Sequence, residues 1–143
     1  GATGYLDTNY KGKVEYGLRE LKERDLLCIH VEAPDEAGHQ GKVEDKVLAI
    51  EDFDGKVVGR VMDALQGLDD YKILILCDHP TPVKLMTHVS EPVPFIIHPA
   101  LGSGAGNIGY GYNEEDAHAT GLFVEEGHQL LSMLMLEDQG REG

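Results

Sequence analysis

Asp35 and His39 stand four residues apart in APDEAGHQG, Asp78 and His79 are adjacent in DHPTP, and His88 follows in KLMTHVSEPVP. Carboxylate oxygen and neutral imidazole nitrogen are hard-to-borderline donors that suit zinc, manganese or iron. Mixed oxygen and nitrogen sets with open positions are the pattern of catalytic metal centres rather than closed structural ones. Either pair alone has a plainer reading, a helix cap beside a surface histidine. Taken together these side chains suffice for one full metal site and part of a second, provided that the fold gathers them.

The elements that must do the gathering can be read from the spacing of apolar residues. Asp7, Thr8 and Asn9 are N-cap candidates for a helix over about Lys11 to Lys22. DLLCIHVE is dense in apolar and β-branched residues and predicts a buried strand over Leu26 to Val31. After the DEAGHQG turn, Val43, Val47, Ile50, Asp54, Val57, Val61 and Leu65 recur at helical spacing and predict one long amphipathic helix. YKILILC then predicts a second buried strand, Lys72 to Cys77. Strands apolar on both faces, alternating with long helices, point to an α/β sandwich with a largely parallel sheet. In such a sheet ligands bind beyond the carboxyl ends of the strands, and both chemistry-bearing turns follow such an end.

Downstream come PFIIH between prolines, the glycine-rich LGSGAGNIGYGYN, the helix-like GHQLLSMLMLED and a terminal EDQGREG expected to fray. Gly102, Gly104 and Gly106 have GxGxG character, but neither a strand nor a helix pattern adjoins them, so a loop is expected rather than a nucleotide cradle. No internal repeat or dividing linker is visible over the 143 residues, and one core is the expectation.

Twenty-six acidic against 12 basic residues give a formal charge of -14, which repels a phosphate backbone and argues against nucleic acid as partner. The longest apolar runs are far shorter than the roughly 20 residues that cross a bilayer, and no basic-then-apolar leader opens the sequence, so a membrane is not expected and the cytoplasm is the simplest location. Cys28 and Cys77 lie inside apolar runs and are expected to be buried thiols without a disulfide framework. His30, His98, His118 and His128 are expected to be packed or surface histidines.

GYLDTNYKGK, VEAPDEAGHQGKVEDKVLAIEDFD, DHPTPVKLMTHVSEPVPF and GLFVEEGHQLL together resemble the C-terminal part of the archaeal-type, cofactor-independent (2,3-bisphosphoglycerate-independent) phosphoglycerate mutases of the alkaline phosphatase superfamily. The resemblance implies an alkaline phosphatase-like three-layer α/β/α sandwich, of which residues 1–143 would be the C-terminal part of one metal-binding domain. It implies that Asp35, His39 and His88 hold one metal ion and that Asp78 and His79 contribute to a second. Two divalent ions are then expected, manganese first, with zinc, cobalt or magnesium as alternatives. The family's early aspartate and its nucleophilic serine or threonine are not visible here, so the expectation is a fragment that is inactive by itself, with no catalytic nucleophile in this chain. Thr81, Thr87 and Ser90 are the hydroxyls near the ligands, but none has the strand-to-helix setting that activates a nucleophile.

The implied reaction is interconversion of 3-phosphoglycerate and 2-phosphoglycerate through a phosphoserine, with phosphoglycerate as partner. Two alternatives remain: another metal-dependent phosphatase or phosphotransferase of the superfamily, and a non-catalytic metal-binding fragment. Glu36, Gly38 and Gly41 are expected to shape the first turn and Pro80 and Pro82 to stiffen the second.

Overall fold

The computed structural model describes residues 1–68, 70–99 and 109–135, so Gly102, Gly104, Gly106 and the terminal EDQGREG lie outside the described residues. The chain forms two compact units, the first of Gly1–Gly67 with His79–Glu91, the second of Leu68–Asp78 with Pro92–Gly143.

In the first unit, helix α1 spans Tyr10–Glu20, with the Asn9 side chain accepting from the Gly12 amide at its N-cap. Tyr10 and Val14 of α1 meet Val57, and Leu18, Ile29, Val31, Phe53 and Val61 close around them to form the core. Leu26 to Val31 contradicts the expected buried strand. The segment is not laddered; Leu27, Ile29 and Val31 are half-buried while Leu26, Cys28 and His30 are exposed, a period of two that faces one side toward the helices. A strand makes no hydrogen bonds within itself, and apolar content alone cannot supply the neighbouring chain that a ladder needs. The same alternation leaves the Cys28 thiol exposed; Cys77, just past its strand, is exposed too, so neither is the buried thiol expected.

DEAGHQG is likewise not a turn but helix α2, Ala33–His39, opened by Pro34 in its first turn. It ends in a Schellman motif: Gly41 takes φ +69°, its amide reaches the Gly38 carbonyl, and the Lys42 amide reaches that of Ala37. The predicted long helix is continuous but not uniform, running as α3, Val43–Phe53, a π-helical turn over Asp54–Val58, and α4, Gly59–Leu65. The π turn begins at Asp54, the one polar member of the apolar series. A π turn inserts an extra residue, so residues in register before it leave the inward face after it. Val57 and Leu65 are buried as expected, whereas Val43, Val47 and Ile50 are exposed and Ala49 takes the inward position of α3.

In the second unit, strands β1, Lys72–Leu76, and β2, Phe95–Pro99, pair antiparallel with Ile73 opposite His98 and Ile75 opposite Ile96. The strand at Lys72 is where the spacing placed it, but the described sheet has these two strands only and is antiparallel, not parallel. Helix α5, Glu114–Ala119, was not anticipated; Asn113 caps it by accepting from the Asp116 amide at 2.9 Å. Helix α6, Gln129–Met135, falls within the expected last helix. Among the described residues no helix is long and apolar enough to cross a membrane.

Candidate metal centre

Helical geometry does the first part of the positioning. Residues four apart share a face, so α2 presents Asp35 and His39 side by side, with His39 Nε2 at 3.4 Å from Asp35 Oδ2. The segment His79–Glu91 returns across this face. Its Pro80 and Pro82 carbonyls accept from the Val89, Leu85 and Met86 amides at 3.1, 2.9 and 2.9 Å, tying it into a closed loop that carries His79 at one end and His88 at the other.

Close approach of the loop to α2 depends on Gly38. A Cβ there would stand 2.6 Å from the Thr81 carbonyl oxygen and 3.0 Å from Lys46 Nζ, so the glycine in the last turn of α2 serves contact rather than flexibility. The Lys46 ammonium donates to the same carbonyl at 2.6 Å.

Asp35, His79 and His88 each place one donor atom within 4.8 Å of the others. His88 Nε2 lies 3.4 Å from Asp35 Oδ1 and 2.9 Å from His39 Nε2, and its ring stacks on that of His79 with centroids 3.7 Å apart. Four of the five residues singled out in the sequence thus share one half-exposed cluster within the first unit. Asp78, the fifth, falls in the second unit, at the end of its Leu68–Asp78 stretch, and is exposed.

Hydrogen bonding fixes which atoms face inward. His39 Nδ1 stands 3.0 Å from the Met86 carbonyl, which can only accept, so Nδ1 carries the proton and the Nε2 lone pair points into the cluster. Met86 takes φ 52° to present that carbonyl, a left-handed conformation uncommon outside glycine. The buried Thr81 hydroxyl donates to Asp35 Oδ1, so its oxygen, 3.3 Å from His79 Nδ1, can only accept there. Burial pushes the Asp35 carboxyl up, but the Thr81 hydrogen bond and then His39, His88 and His79 outweigh it and hold the group below its ordinary range.

This donor set fits a divalent ion of borderline character. Two donors each about 2.0–2.1 Å from a tetrahedral ion stand about 3.3–3.4 Å apart, the spacing that Asp35 keeps to His39 and to His88. Ligand imidazoles commonly donate their second nitrogen to a carbonyl, as His39 does to Met86. Met86, Lys46 and the supporting role of Thr81 were not anticipated. For Thr81 a signal existed, a lone hydroxyl held between two prolines two residues after a ligand candidate; for Met86 none did, because a main-chain carbonyl has no residue signature.

The sequence profile of the Metalloenzyme superfamily matches residues 1–137. A probable 2,3-bisphosphoglycerate-independent phosphoglycerate mutase of Geobacter sulfurreducens is 50% identical over 94% of this chain and 34% of its own length. A 2,3-bisphosphoglycerate-independent phosphoglycerate mutase of Methanosarcina acetivorans is 43% identical over the same shares. The solved structure of the PH0037 protein from Pyrococcus horikoshii superimposes with a TM-score of 0.83 at 32% identity, over 94% of this chain and 40% of that one. The chain therefore spans about a third of the length of the curated relatives it matches.

Proposed function

Since the chain belongs to the Metalloenzyme superfamily, we propose that the full-length protein containing it is a cofactor-independent phosphoglycerate mutase. It would interconvert 3-phosphoglycerate and 2-phosphoglycerate in the cytoplasm, and residues 1–143 would be the C-terminal part of its metal-binding domain. The observation that carries this reading is the convergence of Asp35, His39, His79 and His88, from two separate stretches of chain, with their carboxylate oxygens and ring nitrogens facing one another. Relatives named as such mutases, at 50% and 43% identity across nearly the whole chain, support the substrate.

In this reading Asp35, His39 and His88 hold one divalent ion, and His79 with Asp78 contributes to a second, manganese being the first candidate for both. Such ions, when bound, lower the pKa of a hydroxyl nucleophile, orient phosphate oxygens and neutralise charge that develops at phosphorus. The chain's own residues hold and orient. The Asp35 carboxylate stays ionised against burial, the Met86 carbonyl orients the His39 ring, and the Thr81 hydroxyl ties Asp35 to His79. The nucleophilic serine or threonine would come from sequence outside these 143 residues. The complete domain is proposed to be a three-layer α/β/α sandwich with a largely parallel sheet, a reading supported by the match to the Metalloenzyme superfamily.

The test is an enolase-coupled assay of the full-length protein with manganese, run beside an assay for inorganic phosphate. Isomerisation without phosphate release, lost on Asp35→Ala or His39→Ala, is expected. Phosphate release without isomerisation would replace the mutase by a hydrolase. A His39→Ala variant with unchanged rate and metal content would refute the site itself.

A further inference from the structure

Thr81 is the most buried polar side chain of the loop that faces α2, at 4% exposure, and its hydroxyl has a partner on each side. The proton goes to Asp35 Oδ1, and the oxygen lies 3.3 Å from His79 Nδ1. One hydroxyl therefore fixes both the rotation of a carboxylate on α2 and the tautomer of an imidazole 44 positions along the chain (79 minus 35). Thr81 is in turn immobilised: its carbonyl accepts from Lys46 at 2.6 Å, and the absence of a side chain at Gly38 lets it sit against the helix. Prolines on both sides restrict the backbone further. A hydroxyl so enclosed is badly placed to attack a substrate and well placed to hold ligands.

We propose that Thr81 is a positioning residue of the metal centre, clamped by Lys46 and Gly38, which orients Asp35 and His79 together so that binding at one is coupled to binding at the other. The inference rests on the metal-binding reading given above. Outer partners of metal ligands commonly change affinity 10- to 100-fold when removed. Because this one serves two ligands, its loss should act on both ions.

The experiment titrates manganese into the full-length protein by calorimetry and records the cobalt(II) visible spectrum of each variant. Thr81→Ser keeps the hydroxyl and should bind manganese within about threefold of the parent. Thr81→Ala, close to serine in size but without the hydroxyl, should bind about 10- to 100-fold more weakly, with a changed cobalt band. Thr81→Val, which keeps the shape, should follow alanine. If the serine and alanine variants bind alike while Asp35→Ala abolishes binding, the role of Thr81 is refuted and the site stands. If Asp35→Ala binds manganese as the parent does, the metal reading itself fails. An apparent loss from misfolding would weaken serine and alanine equally, and that outcome also counts against the proposal.

Discussion

Two histidine-bearing regions of the molecule treat their polar groups in opposite ways. Around α2 and the His79–Glu91 loop, His39 is held by the Met86 carbonyl, and His79 and Asp35 are held by one hydroxyl. In the β1–β2 pair, His98 Nε2 and the hydroxyl of Tyr71, whose ring lies 6.5 Å from the His98 ring, are buried without a hydrogen-bond partner among the described residues. A buried polar group lacking a partner costs free energy, whereas one held at both nitrogens or both oxygens loses its freedom to do anything but its assigned task. The contrast teaches where side chains are being oriented: the first region spends a left-handed methionine, a glycine in the last turn of α2 and a half-buried lysine contact on orientation, and the described residues of the second show nothing comparable.

The sharpest break of this contrast exchanges the two regions' fates. Asp35→Ala should reduce manganese affinity of the full-length protein by more than about 100-fold, beyond what loss of an outer partner costs, while His98→Ala leaves it unchanged. Calorimetric titration reads both, and equal losses would erase the distinction. Next in size is Gly38→Ala, which drives a methyl into the Thr81 carbonyl at 2.6 Å and should cost about 1–3 kcal/mol in denaturant unfolding, with weakened metal binding alongside. A neutral Gly38→Ala would mean that α2 and the loop are not locked together.

Asn113→Ala removes the cap of α5, whose side chain accepts from the Asp116 amide, and should cost about 1 kcal/mol without touching metal affinity. The smallest effect is expected for Tyr71→Phe. Its hydroxyl has no partner among the described residues, so stability should change by less than about 0.5 kcal/mol in either direction, and a larger loss would reveal a contact beyond them.

How far the sequence carried the reading differs between site and scaffold for a physical reason. The ligand candidates were legible because Asp, His and their spacing are chemical signatures, and helical periodicity of four puts Asp35 beside His39 whatever else the chain does. The element holding them was misjudged: glycines 38 and 41 suggested a turn, yet Gly41 ends the helix at positive φ and Gly38 admits Thr81. Pro34 and the acids Asp35 and Glu36 were helix-start signals of equal weight. Leu26 to Val31 shows the limit from the other side. Its residues favour an extended chain and it is extended, but a ladder depends on which segment lies alongside, and composition does not encode that. The π turn at Asp54 was written in the sequence as the single break in an apolar series, legible only once its consequence for Val43, Val47 and Ile50 is seen.

The central claim, that Asp35, His39, His79 and His88 are folded together to hold a cation, is tested most directly by crystals of the full-length protein soaked in manganese and measured at wavelengths above and below the manganese edge. An anomalous peak within coordination distance of Asp35, His39 and His88 is the predicted result. Manganese bound elsewhere, with none of these side chains within coordination distance of it, would contradict it.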